Sequence, residues 1–504
     1  MSDPIRDYKE QQIHDLQSMG HNPYPYRFDR THSSKQVNED FYEMKNGEVR
    51  QEVSLSVCGR VMAIRDHGKS CFFELRDGYG SIQSYIRKNE VGESSFEFFK
   101  RFINVGDFLG VDGFPFRSKT GEMSVFVNHF QLLSKSIRTL PEKWHGMKDK
   151  EVIYRQRYVD LIANTESFHR FEVRFKTLHL LREFMVERGF IEVDTPMLHY
   201  LVGGASAKPF VTHMNAYDID LYLRIAPELY LKRLVVGGFE RVFEMNKNFR
   251  NEGVSYKHSP EFTMLEAYQA YADYSDIMEL VEEMIAHVVF QIKGTHQLEY
   301  QGTMIDFSPP WKRMTMAECI HKHLGTDIIN DPEDTLIQKL REHGKVPLIR
   351  DKGHMIESLW GLVEDRIIQP TMITEHPISI SPLAKKHRAK PGVTERFEPI
   401  VFGRELGNAF SELNDPIDQR IRFEAQMQLR DKGDEEAQMM DQDFIRALEY
   451  GLPPTGGLGI GIDRLIMFLT NASSIRDVIP FPLVKPDFLY REIDEEADFS
   501  NLSE

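Results

Sequence analysis

Residues 240–271, ERVFEMNKNFRNEGVSYKHSPEFTMLEAYQAY, constrain this chain more than any other stretch. Apolar and polar residues alternate at period two, and successive side chains on a strand point to opposite faces, so the stretch opens as a strand. One face collects Phe243, Met245 and Phe249, suited to burial. The other collects Glu244, Asn246, Asn248 and Arg250, which need a polar cover if the strand lies inside a protein. After a turn containing Gly253, Ser255, His258 and Pro260, alternation resumes with Phe262, Met264, Glu266 and Tyr268 on one face. Two antiparallel strands joined by this loop present Arg250, Glu252, His258, Phe262, Glu266 and Tyr268 together. The set offers a cation and an imidazole for phosphates, a ring for a base, and carboxylates for a cationic ligand. An Arg-x-Glu tripeptide by itself is usually a surface ion pair, so the weight rests on the longer pattern.

At 504 residues the chain is long enough for two or three domains, and 41% hydrophobic with 28% charged residues describes an ordinary globular composition. A net charge of −16 argues against nucleic-acid binding over the whole surface. Residues 51–140 depart from this acidity, with 12 Lys/Arg against 10 Asp/Glu. RNA contact is therefore expected to be local and salt-sensitive. Cys58, Cys71 and Cys319 show neither ligand spacing nor a paired framework, which fits a reducing compartment and argues against a structural zinc site. No apolar run approaches the roughly 18 residues of a membrane span, and the N-terminus lacks a signal core. These features predict a cytoplasmic protein without a membrane partner.

Residues 1–50 form a polar leading arm with a helix near 8–19, stopped by His-Asn-Pro-Tyr-Pro. From 53 to 135, five short alternating runs separated by Gly, Asp and Lys turns predict a small β-barrel of the OB type, bounded at 51–137. Residues 138–153 read as a linker with Pro141, and 154–504 as a second, α+β domain. That domain opens with a helix whose Phe168, Phe171, Phe175, Leu178 and Leu181 recur at spacings of three and four, predicting a core helix. Gly189 ends it, and a short strand follows, stopped by Pro196. Residues 311–370 read as a helical insertion, with Thr315 and Glu318 as a capping box and Gly344 as a stop. Residues 395–415 return to strand, and residues 415–450 are helical, starting at Asp415-Pro416 and interrupted at Gly433. Glu398 and Glu405 on this strand are compatible with a solvated face or with Mg²⁺, a hard cation that prefers carboxylate and phosphate oxygens. The last run, GLPPTGGLGIGIDR at 451–464, is neither a Walker loop nor a dinucleotide fingerprint.

Asn248-Phe249-Arg250-Asn251-Glu252 followed by Pro260-Glu261-Phe262-Thr263 resembles motif 2 of class II aminoacyl-tRNA synthetases, and the surrounding wording resembles the bacterial-type lysyl branch. The helix–strand–Pro order before Pro196 resembles motif 1, and Gly459-Ile-Gly-Ile-Asp463-Arg464 resembles motif 3. The likeness spans about 50–490. It implies an OB-fold anticodon-binding barrel followed by a catalytic domain built on an antiparallel sheet flanked by helices. It implies a homodimer formed through motif 1, with ATP, L-lysine and tRNA(Lys) as substrates.

The resemblance also implies roles. Arg250 and Arg464 would be the catalytic cations, and ATP would meet Arg250, Glu252, His258, Phe262, Glu405 and Arg464. Mg²⁺ would be held by Glu398 and Glu405. Lysine would meet Gly204, Glu228, Glu266, Tyr268, Asn408, Phe410 and Glu412; an aspartate pocket would need Arg or Lys at the side-chain end, and none stands at these matched positions. Anticodon bases would meet Arg60, Phe72 and Gln83. His129 stands where the family is expected to carry an anticodon-reading Glu.

Overall fold

A computed structural model describes residues 4–140, 149–346, 351–431 and 437–485. The chain divides into two units, Met1–Lys148 and Asp149–Glu504. Half of the expected linker (141–148) and the break at Gly433 lie outside the described residues.

In the first unit all five alternating runs are strands. Leu55–Asp66, Ser70–Asp77, Gly80–Arg87, Met123–Ser134 and Phe108–Arg117 pair in that order and close into a barrel. Period-two burial turns Leu55, Val57 and Val61, then Cys71, Phe73 and Leu75, into the core, leaving the intervening residues outside. The helix Glu93–Phe102 buries Phe96, Phe99 and Phe102 against that core. Residues 4–50 are more than a leading arm. Leu16 of helix Pro4–Ser18, with Val37, Phe41 and Met44, belongs to the barrel's own hydrophobic cluster.

The second unit is built on a nine-stranded sheet. The hairpin Arg241–Phe249 and Glu261–Ala270 pairs in antiparallel register, with Glu244 opposite Glu266 and Asn248 opposite Phe262. Thr455–Gly461 lies beside the hairpin, and Gly407–Ser411, Arg396–Val401 and Thr371–Thr374 continue outward. The sheet is antiparallel except at its two ends, where Ile191–Glu192 and Lys312–Thr315 join in parallel. Helices Thr165–Glu187, Tyr274–Lys293 and Ile462–Leu469 contribute to the main core with Phe243, Leu265, Leu458 and Ile460 from the strands. Between the strands Lys312–Thr315 and Thr371–Thr374 lie the helices Met316–Leu324, Glu333–Glu342 and Lys352–Trp360, with the Thr315–Glu318 capping box formed and Met316, Leu336, Met355 and Leu359 in a separate cluster.

Two burial expectations are corrected. On helix Thr165–Glu187, Phe171 and Leu181 are buried, but Phe168 and Phe175 are 40% and 57% exposed. The buried stripe runs instead through Val173, Arg174, Thr177, Leu180 and Phe184, and its two polar members hide it from an apolar count. On Arg241–Phe249 the polar face is the more buried one: Glu244, Asn246 and Asn248 are inaccessible while Met245 and Phe249 are half-buried.

Candidate functional site

Every residue expected in the activation site lines one cavity of about 370 Å³ above the central strands. The register explains the convergence. Glu266 lies beside Gly459 and Gly459 beside Asn408, while Tyr268 lies beside Gly457 and Gly457 beside Phe410. Gly457, Gly459 and Gly461 all reach the cavity, so the central strand gives it a floor without side chains. A Cβ at Gly457 would fall 1.9 Å from Glu412 Oε1 and 2.6 Å from Tyr268 Cε1, closer than any real contact. Gly204 closes the pocket from a loop with φ +88°, a backbone conformation that only glycine adopts at no steric cost. Its own Cβ would meet Glu228 Cβ at 3.1 Å.

One end of the cavity is acidic and deeply buried. Glu228, Glu266, Tyr268 and Glu412 are all inaccessible. Burial first, then the charge of Glu228, pushes the Glu266 carboxyl up to about 8, with only Asn248 Nδ2 donating to it at 3.4 Å. Burial and the acids Glu228, Glu266 and Glu412 raise the Tyr268 phenol well above its ordinary range. A lysine outside the matched positions stands at this end. Lys232 is fully buried, donates to Glu228 Oε1 at 2.6 Å, and contacts Glu412 Oε2. Burial opposes its charge, but Glu228 and Glu412 outweigh that term and hold the ammonium protonated. The motifs do not single it out: one partner, Glu228, stands one turn back on helix Glu228–Val236, and the other, Glu412, is brought to it only by the fold. Glu412 Oε1 has no hydrogen-bond donor among the described residues.

The other end carries the cations. The Arg250 guanidinium lies over the Phe262 ring, 5.0 Å from its centroid, and its buried Nε has no partner among the described residues. Arg464 is turned to Glu405, donating to its backbone carbonyl and lying 3.5 Å from its carboxylate. His258 accepts or donates at Nδ1 with Ser255 Oγ at 3.0 Å, and burial together with Arg464 and Lys257 lowers its pKa, so it is neutral at pH 7. Glu252 is exposed at the rim.

Arg396, unremarked in the sequence, organises the wall between the ends. It donates to Asn408 Oδ1 at 2.9 Å, Ser381 Oγ at 3.0 Å and Glu398 Oε1 at 2.7 Å. Among the described residues no three His, Cys, Asp or Glu converge on a metal position. Glu398 and Glu405 nevertheless suit Mg²⁺, which is commonly bound by one or two carboxylates plus substrate phosphates. A third acid, Glu364, is pushed up to about 7 by burial and by the charges of Glu405 and Glu398.

Beneath the cations, Asp463 ties three segments together. Its carboxylate accepts from Thr263 N at 2.7 Å and from Arg174 Nη1 at 2.5 Å, and Arg174 also donates to Thr263 Oγ1 at 3.0 Å. Each residue adjoins a site residue, Phe262 or Arg464, or comes from the helix with the exposed phenylalanines.

In the barrel unit, Arg60, Phe72 and Gln83 occupy the outward positions of the first three strands. The Arg60 guanidinium lies 4.2 Å from the Phe108 ring centroid, Phe72 packs on Tyr85 at 4.4 Å, and Gln83 accepts from Ser124 Oγ at 3.0 Å. Tyr85 and Phe126, 5.3 Å apart, extend this aromatic face and were not singled out by motif. His129 is exposed and pairs with Asp112 at 3.1 Å.

No helix among the described residues is long and apolar enough to cross a membrane. Comparison with known families matches residues 55–133 to the OB-fold nucleic acid binding domain and residues 149–485 to the class II tRNA synthetases (D, K and N). Similar curated proteins include a lysine–tRNA ligase of Thermosipho melanesiensis, 58% identical over 98% of this chain and 99% of that protein. One of Thermotoga maritima is 57% identical over 98% and 99%, and one of Clostridium botulinum 51% identical over 94% of each. By barrel, sheet, motif order and these likenesses, the chain belongs to the lysine–tRNA ligase family of class II tRNA synthetases.

Proposed function

We propose that this protein activates L-lysine with ATP, forming lysyl-adenylate and pyrophosphate, and transfers the lysyl group to the 3′ end of tRNA(Lys) in the cytoplasm. The observation that carries the lysine assignment is the buried acidic end of the cavity, where Glu412 Oε1 has no donor among the described residues. A buried carboxylate oxygen without a partner is costly, and a substrate ammonium supplies the missing donor. Glu228 is suited to the α-ammonium and Glu412, beside Tyr268, to the ε-ammonium. A site built to hydrogen-bond a charged end rejects neutral analogues strongly.

The substrate carboxylate is already an anion, so its attack on the α-phosphorus needs no general base. Positioning and charge stabilisation supply the rate enhancement. Arg250, whose Nε has no partner among the described residues, is suited to hold the α-phosphate with its planar fork. Phe262 offers a face to adenine, and Arg464 reaches the terminal phosphate on exchanging Glu405 for it. Neutral His258 serves as a hydrogen-bond partner at the phosphates, and Glu252 at the adenine edge. Glu398 and Glu405 would hold Mg²⁺, which would neutralise the polyphosphate.

The outward face with Arg60, Phe72 and Gln83 takes the anticodon, where base stacking is worth about 1–3 kcal/mol per base. Exposed Phe168 and Phe175, with Ile191 and Leu198 nearby in sequence, support a homodimer. Pyrophosphate exchange with ATP, Mg²⁺ and each of the twenty amino acids tests the assignment. Exchange with lysine alone is expected, and exchange with aspartate or asparagine would overturn the pocket reading.

A further inference from the structure

Lys232 carries more than the charge balance of its helix. Its ammonium lies 5.4 Å from the Phe410 ring centroid and 5.9 Å from that of Phe444, so its tip is walled by aromatic rings. It meets Glu228 one turn back on its own helix and Glu412 at the end of the strand Gly407–Ser411. Each contact uses a single carboxylate oxygen, Glu228 Oε1 and Glu412 Oε2. Glu412 Oε1 stays without a partner among the described residues.

A single fixed cation touching both carboxylates sets the distance between them. Two buried carboxylates with nothing between them would repel and turn apart or take up a proton. We propose that Lys232 is a positioning residue, an internal brace that fixes the spacing of Glu228 and Glu412 and thereby selects the length of a diamino-acid substrate. This rests on the reading above that these acids take the two ammonium groups of lysine. The brace occupies Glu228 Oε1 and Glu412 Oε2, so a substrate ammonium at each end of the set span would meet the other oxygen of each acid. If lysine bridges that span, ornithine, one methylene shorter, reaches one end and leaves the other acid without its donor. The cation of the brace also halves the negative charge of the two acids, so the pocket does not collect arbitrary cations.

The test uses the full-length protein in pyrophosphate exchange with lysine and with ornithine, in wild type, Lys232→Met and Lys232→Arg. Met keeps the length and apolar contacts of the stem, and Arg keeps the charge while moving its position. For Lys232→Met the lysine KM is expected to rise about 100-fold with a much smaller change in kcat, because the interaction lost serves binding. The preference for lysine over ornithine should fall by about tenfold or more, the scale of discrimination that one methylene supports. The KM for ATP should stay within about twofold, since Lys232 touches neither Arg250 nor Arg464. A purely structural role would raise both KM values together and leave the lysine-to-ornithine ratio unchanged, and that result overturns the proposal. If Lys232→Met does not fold, Lys232→Arg decides by the same ratio, which falls if the brace sets the span and holds if it does not. A wild type that exchanges with no lysine overturns the site reading itself. An active wild type whose ratio survives both substitutions overturns the brace alone.

Discussion

Replacing Gly457 by alanine tests the placement of the substrate's side-chain end more directly than removing any charged group. The added methyl would lie 1.9 Å from Glu412 Oε1 and 2.6 Å from the Tyr268 ring. Neither neighbour yields easily: Glu412 is pinned through its other oxygen to Lys232, and Tyr268 sits on a central strand, 3% exposed. Relief therefore requires a shift of order 1 Å in the acidic wall, and overpacking of this kind costs about 1–3 kcal/mol. That penalty falls on groups proposed to touch lysine, so kcat/KM for lysine should drop by about 5- to 150-fold at 1.4 kcal/mol per tenfold. Steady-state exchange with lysine varied at saturating ATP, then the reverse, separates the two substrates. Gly459→Ala is the control, since its methyl would meet the flexible Met264 Cε at 3.0 Å and should cost less. A folded Gly457→Ala protein with unchanged lysine kcat/KM would refute the assignment of Glu412 and Tyr268 to the substrate end.

Three further outcomes follow from other parts of the molecule. The Glu266 carboxyl is pushed up to about 8 in the folded protein against an ordinary 4.5, so the folded state binds the extra proton. Stability of the substrate-free enzyme should therefore fall as pH rises from about 5 to 8 and level off above, and Glu266→Gln should flatten that slope in urea titrations. Arg174→Met leaves the Asp463 carboxylate without its buried cation and should cost about 3–5 kcal/mol, read as a lower denaturation midpoint. Phe72→Ala should raise the KM for tRNA by about tenfold, with amino-acid exchange unaffected, because Phe72 belongs to the barrel unit.

Much of this architecture is legible in the sequence because the alternating runs are long and the turn residues sharp. The five barrel strands and the hairpin around Arg250 fall where period-two spacing puts them, and the strand before Arg464 falls where the resemblance to motif 3 implies one. What stayed hidden is buried charge. Arg174 and Lys232 on helices, and Arg224 and Arg396 on or beside strands, look like solvated residues until their partners are known. Those partners lie 289 positions away for Arg174 and 180 for Lys232, beyond any local pattern. Phe168 and Phe175 mislead in the opposite sense, since apolar periodicity marks a covered face without saying what covers it. The proposed roles of Glu398 and Glu405 came from the family resemblance, while their ion pairs with Arg396 and Arg464 emerge only from the fold.

The place of Thr455–Gly461 in the sheet has a consequence for how the protein is made. It is the last strand of the sheet in sequence, yet it is hydrogen-bonded between the hairpin Arg241–Ala270 on one side and Gly407–Ser411 on the other. On the ribosome the two half-sheets are therefore synthesised without the strand that joins them. Arg174 waits 289 residues for Asp463, about 15–60 s at typical elongation rates. The barrel, whose strands all pair within residues 55–134, has no such wait. Translation thus delivers a finished RNA-binding module ahead of an open catalytic half, and a chain arrested before residue 455 could hold an anticodon but has no floor on which to build an adenylate.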